Sequence, residues 1–185
     1  MRKGIGVVML GIFLLGGSWA GAAPAQDKKS TEPASRQNLI KEVRHQLLLL
    51  PYYSVFDNLS FRIDRDTVTL EGQVVRPTLK SDAESAVKSI EGVSAVVNNI
   101  EVLPVSPMDD SVRRAVYRGL YGDSVLSKYA YSSVASIHII VKNGNVTLEG
   151  VVDNESDKNL ANLRANAVPN VFSVKNNLTV AGGSK

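Results

Sequence analysis

Val68-Thr69-Leu70-Glu71-Gly72 returns as Val146-Thr147-Leu148-Glu149-Gly150. Holding that offset of 78 without a gap also sets Val74 on Val152, Lys80 on Lys158, Ala83 on Ala161 and Val93 on Val171. Val96, Asn98, Asn99 and Val102 fall on Val174, Asn176, Asn177 and Val180. Thirteen identities in 35 ungapped positions lie far beyond chance, so the chain carries two copies of one module. Upstream, Leu39, Val43 and Leu47 match Val112, Val116 and Leu120, which requires a longer loop before the first strand of the second copy.

Within each copy the apolar spacing sets the elements. Leu39, Val43, Leu47 and Val112, Val116, Leu120 recur every four residues and predict a helix with one buried face, limited in the first copy by Pro51. Phe61 and Ile63, then Val68, Leu70 and Val74, alternate at strand period around Asp64-Arg65-Asp66-Thr67. Ile137, Ile139 and Val141, then Val146, Leu148 and Val152, do the same around Asn143-Gly144-Asn145, so each copy predicts a hairpin. Leu79, Ala83, Val87 and Ile90 mark a second helix, echoed by Ala161, Ala165 and Val168. Gly92 and Asn170 follow as residues that tolerate a left-handed conformation at a helix stop. Val96 to Val102 and Val174 to Val180 predict a third strand, in which Asn98 and Asn176 share a face with apolar residues. That placement calls for an edge, a bulge or a bonded side chain. The expectation is an α+β chain of two tandem αββαβ modules, each a small three-stranded sheet packed by two helices. Modules this small gain stability by docking on each other.

Composition narrows the chemistry. Of 185 residues none is Cys, which removes disulfides, thiolate metal sites and Cys nucleophiles, and the net charge is +3. Arg2 and Lys3 precede an uncharged run from Gly4 to Gly17, followed by small residues at Ala20, Ala22, Ala23 and Ala25. This is the layout of a cleavable signal peptide over 1–25. The run is shorter than the roughly 20 residues of a spanning helix, which favours cleavage over an uncleaved anchor. With no Cys after it a lipoprotein anchor is excluded, so the expected location is the periplasm. Cleavage leaves 19 basic against 18 acidic residues, a charge of about +1 that makes nucleic acid a poor partner. The reading of the chain is then a disordered leader over 26–36, module 1 over 37–103, a linker over 104–108 built on Pro104-Val105-Ser106-Pro107, and module 2 over 109–181.

With these motifs in place the chain resembles the BON family, named for bacterial OsmY and nodulation proteins. Its hallmarks are V-T-L-x-G at the end of a strand and a closing G-V-x-x-V-x-N-x-[IL]-x-V. They stand here as Val68 to Gly72 with Gly92 to Val102, and as Val146 to Gly150 with Asn170 to Val180, where Asn170 replaces the glycine. The resemblance runs from about Asn38 to Val180. It implies an αββαβ fold, a bacterial envelope location, and roles in phospholipid association, envelope integrity or osmotic-stress protection. It implies no catalytic residue and no cofactor.

No residue pattern argues for an enzyme or a metal. His45 and His138 have no partner at ligand spacing and read as solvated or packed. Asp64 and Asp66 read as turn residues, and Asp109-Asp110-Ser111 as a helix cap in preference to a Ca²⁺ loop. No nucleophile elbow, phosphate loop or zinc-protease motif is present. Gly119-Leu120-Tyr121-Gly122 matches the G-x-x-G of nucleotide-clamping domains, but Gly122 is more simply a helix stop.

Two surfaces remain. On the first helix of module 2, Arg113, Arg114, Tyr117, Arg118 and Tyr121 recur at spacings of three and four. They are the candidate lipid-facing residues, since Arg meets phosphate and Tyr suits the headgroup boundary. The expected partners are therefore anionic phospholipid or envelope proteins. In module 1 the apolar stretch Leu47 to Phe56, with Leu49, Tyr52, Tyr53 and Phe56, is either the docking surface for module 2 or a client-binding face. The leading expectation is thus a non-enzymatic periplasmic envelope protein that associates with phospholipid surfaces. The alternative is a periplasmic chaperone or adaptor using Leu47 to Phe56.

Overall fold

The computed structural model describes residues 31–131 and 135–182. The signal peptide expected over 1–25 lies outside the described residues. Module 1 runs α1 (Thr31–Leu48), β1 (Asn58–Asp64), β2 (Thr67–Val74), α2 (Pro77–Lys88), β3 (Ala95–Asn98) and β4 (Glu101–Val102). Module 2 runs α3 (Pro107–Tyr121), a 3-10 helix (Leu126–Ala130), β5 (Ile137–Lys142), β6 (Asn145–Val152), α4 (Glu155–Asn166), β7 (Ser173–Asn176) and β8 (Thr179–Val180). The fold is α+β and both copies follow αββαβ. The loop that lengthens the second copy carries the 3-10 helix.

In each module the long second strand is central. β2 pairs antiparallel with β1 and parallel with β3 and β4, and β6 pairs in the same way with β5, β7 and β8. The short hairpin turns enforce the antiparallel pairs, and the α2 and α4 crossovers make the parallel ones. Val68, Leu70 and Val74 on β2 point at Val43 and Leu47 of α1 and at Leu79, Ala83 and Val87 of α2, forming one buried core. Val146, Leu148 and Val152 meet Val112, Val116, Leu120, Ala161 and Ala165 in the other.

The glycine that ends each V-T-L-E-G has a steric reason. Gly72 sits at φ +119 and a Cβ there would lie 2.0 Å from the Asn58 carbonyl oxygen. Gly150, at φ +123, would meet the Ser136 carbonyl oxygen at the same distance. No side chain fits either place, because the neighbouring backbone at Asn58 or Ser136 comes too close to the central strand. Gly92 and Asn170 are left-handed, at φ +90 and +66, but they follow the helix caps Ser89 and Ala167 and do not themselves form them.

Three expectations need correction. Residues 31–36 were expected in a disordered leader, yet they are the opening turns of α1. Arg36 there donates from Nη2 to Ile63 O at 3.1 Å, a long-range contact that no local pattern signals. The third strand of each module is in two pieces, because the chain leaves the ladder just after the first Asn of V-x-N-N, which is the last paired residue of β3 and of β7. Asn98 Nδ2 donates to Lys80 O and Glu84, while its Oδ1 accepts Ile100 N–H. Asn176 does the same with Lys158 O and Leu178 N–H, so each side chain staples the strand break to the helix above it. Finally, α3 starts at Pro107, within the expected linker, with Ser106 as its cap accepting from Asp109 N–H. Asp109 is buried and its carboxylate accepts the N–H groups of Asn143 and Gly144, so it ties down the β5–β6 turn.

Candidate functional site

The residues singled out from sequence fall at and around one seam, where the loop after α1 crosses from module 1 to module 2. Leu50 C=O accepts Tyr53 N–H across Pro51-Tyr52, a type II turn that places Tyr52 at φ +67. A bulky residue there is strained, and its ring is held by the Arg76 guanidinium 4.6 Å from the ring centre. Tyr52 and Leu49 project into solvent, 68% and 63% exposed, while Leu47 and Leu50 are buried in the module 1 core. The turn sends residues 53–57 along the edge of the second sheet. Val55 O accepts Ile139 N–H at 2.8 Å, and Val55 and Phe56 pack on the module 2 core. Tyr53 stacks at 5.7 Å on His138. Glu101 and Lys142 add an ion pair across the same seam.

Asp57 fixes that crossing. Buried, it accepts Ser54 N–H, the Ser54 hydroxyl and, at 2.7 Å, Val75 N–H at the end of β2. Burial pushes the Tyr53 phenol up to about 12, and burial likewise holds the His138 imidazole below its usual range. Both groups are therefore neutral at pH 7. His138 Nδ1 is buried with no hydrogen-bond partner among the described residues.

The five residues expected to face lipid divide into two sets. Arg113 is 3% exposed, ion-paired with Asp110, and donates from Nη2 to Val141 O at 2.7 Å. It cannot present its guanidinium to a membrane, because the edge carbonyl of β5 takes it. Tyr121 is half-buried and its hydroxyl donates to Ile137 O, so it too serves that edge, and burial raises its phenol well above the ordinary range. Arg114 and Arg118 are exposed, and Tyr117 is 40% exposed with its ring centre 6.1 Å from Phe56 and 4.9 Å from Tyr121. What α3 offers to solvent is a ridge of two arginines beside one tyrosine.

One polar cluster gave no sign in the sequence. Tyr129 hydroxyl donates to Asp157 and accepts Asp153 N–H, and Lys128 pairs with both Asp153 and Asp157. Asp157 is held below the usual carboxylate range chiefly by Lys128. Lys128 and Asp157 stand 29 residues apart, so no spacing motif announces them. The cluster pins the 3-10 helix to the start of α4. Among the described residues no group of three or more His, Cys, Asp and Glu is placed to hold a metal, and no helix is long and apolar enough to cross a membrane.

The BON domain family model matches residues 36–104 and 123–182. The chain is 30% identical over 129 residues to the osmotically-inducible protein Y of Escherichia coli (strain K12), a match covering 65% of this chain and 61% of that protein. Among solved structures it is similar to CdsD, a structural protein of the type III secretion system of Chlamydia trachomatis. The identity there is 15%, with 78% of this chain and 94% of that chain covered and a TM-score of 0.30. The C-terminal domain of CdsD matches at 15% identity and a TM-score of 0.28, with 77% and 97% covered. Superpositions this loose inform neither fold nor function.

Proposed function

The chain belongs to the BON domain family, and we propose that it is an exported, non-enzymatic envelope protein that supports osmotic-stress protection by associating with anionic phospholipid surfaces. The name of the E. coli relative supports the osmotic part, and the Arg2-Lys3 head with its apolar run supports export. The observation that carries the lipid part is the solvent-facing ridge of Arg114, Tyr117 and Arg118, left free while Arg113 and Tyr121 turn inward. Two cations beside an amphipathic ring match a phosphate layer over an acyl boundary.

Sedimentation with phosphatidylglycerol vesicles tests it. Binding is expected, weakening as salt rises because exposed charges are screened over roughly 8 Å at physiological ionic strength. Arg114→Glu with Arg118→Glu should abolish it while leaving the fold intact, since both side chains are exposed. Equal binding to phosphatidylcholine vesicles, or none to either, refutes the reading. The chaperone or adaptor alternative is narrowed by burial: of Leu49, Tyr52, Tyr53 and Phe56, only Leu49 and Tyr52 remain exposed.

A further inference from the structure

The repeat makes one vacancy visible. In module 2 each outward residue of β5 has one backbone group met: Ile137 O accepts the Tyr121 hydroxyl, Ile139 N–H donates to Val55 O, and Val141 O accepts Arg113. The same offset of 78 maps these residues onto Leu59, Phe61 and Ile63 of β1. Ile63 O accepts Arg36, and the Tyr53 hydroxyl faces the Leu59 backbone. Ile63 thus faces outward, and residues alternate along an antiparallel strand, so Phe61 also turns its N–H and C=O outward. No described residue bonds them. Where module 2 receives the 53–57 segment, module 1 has an open slot.

That slot is the floor of a groove of about 710 Å3 between α1, β1 and the near edge of module 2. Its apolar lining includes Ile40, Leu47, Leu48, Leu59 and Val151. Its charged lining is Arg36, Arg44 and Arg62, with no carboxylate. Arg62 is paired with Glu71 and Arg36 with Ile63 O, whereas Arg44 is exposed and forms no ion pair among the described residues. In the helix register that sets Val43 on Val116, Arg44 stands where module 2 has Tyr117, the ring against which Phe56 packs.

We infer that this groove binds an extended segment of a partner polypeptide, added as a short strand to β1, with an apolar side chain entering between α1 and β1 and a carboxylate meeting Arg44. The N–H and C=O of Phe61 favour a peptide backbone, which supplies both complements at once, as Val55 supplies one of them to Ile139. The lining charge favours an acidic segment over a basic one. The site is separate from the α3 ridge, so it stands or falls independently of lipid association.

The test uses the chain with two synthetic blocked peptides, TVEFEVT and its lysine counterpart TVKFKVT, and reads amide hydrogen exchange and NMR shifts. The acidic peptide should slow exchange at Phe61 and shift residues of α1 and β1. Arg44→Glu should weaken its binding about tenfold or more, while Arg114→Glu with Arg118→Glu should leave it unchanged. N-methylation of alternate peptide amides should abolish it. No binding, equal binding of the lysine peptide, shifts confined to the α3 ridge, or an unprotected Phe61 amide would each overturn the inference. So would self-association of the chain through β1, which would give the groove to a second copy, or its filling by phosphatidylglycerol vesicles with no response to peptide.

Discussion

The outward carbonyl of Ile63 in module 1 is taken by Arg36, and the matching carbonyl of Val141 in module 2 by Arg113, which stands one helical turn later in the aligned register. The backbone of Leu59 is met by Tyr53 from a loop, that of Ile137 by Tyr121 from a helix. Val75 N–H finds the carboxylate of Asp57, and its counterpart Asp153 N–H finds the hydroxyl of Tyr129. The two modules share a sheet but not the devices that finish its edges. The fold needs a donor or acceptor at a point in space, because a buried or edge polar group without a partner is costly. It does not need that group at a particular place in the chain. Of the outward positions on β1 and β5, Phe61 alone has no such device among the described residues, and the groove lies over it.

Gly72→Ala and Gly150→Ala probe what the modules share, and carry the largest expected effect. Each puts a methyl group into a carbonyl oxygen at a backbone angle that side chains avoid, at a cost of about 3 kcal/mol or more. Chemical denaturation should show nearly equal losses, and a loss in only one module would break the equivalence of the two kinks.

Asp57→Ala and Tyr129→Phe probe what the modules do differently. Removing Asp57 leaves Val75 N–H and the Ser54 groups without their acceptor, for about 2–3 kcal/mol. Removing the Tyr129 hydroxyl leaves Asp153 N–H unmet but keeps Lys128 on Asp157, for about 1 kcal/mol. Because Asp57 also shapes the crossing segment, its loss should further weaken the seam, seen as faster exchange at Ile139. Similar losses for the two variants, with Ile139 exchange unchanged, would show that the crossing does not depend on Asp57.

The smallest effect is a pH dependence at the seam. Burial lowers the folded pKa of His138, while the backbone of Asp57 and Ser54 and the charges of Asp57 and Glu149 pull it back only in part. As pH falls through about 6.5 the unfolded chain takes up a proton that the native ring resists. Stability is therefore full above that pH, declines toward the folded pKa and levels off below it. Urea unfolding between about pH 7.5 and 5.5 should show this slope, and His138→Gln should flatten it. An unchanged slope in the variant would assign the dependence to other groups.

The strands were legible because the repeat doubled every signal. Val68, Leu70 and Val74 alternate at strand period in both copies, and all have buried counterparts in the other module. The candidate site was legible only in part. Arg113, Arg114 and Arg118 look alike as a sequence, since spacing places a residue on a helix but does not say which side of the ridge meets a neighbour. The edge of β5 decides it, taking Arg113 and Tyr121 and leaving Arg114 and Arg118 outside. The helical turns at 31–36 are not legible either, because polar residues carry no periodic apolar signal and the contact that Arg36 makes is 27 residues away.

By itself the sequence determined that there are two modules, how their strands and helices succeed one another, and where the obligatory glycines stand. Those features rest on local periodicity and on steric limits that a single residue expresses. Only the tertiary structure decided which edge groups are satisfied, by what, and which remain open. A hydrogen bond to a sheet edge depends on where a distant loop is carried. The Pro51-Tyr52 turn carries Val55 to Ile139 of the second sheet, and among the described residues none comes to Phe61 of the first.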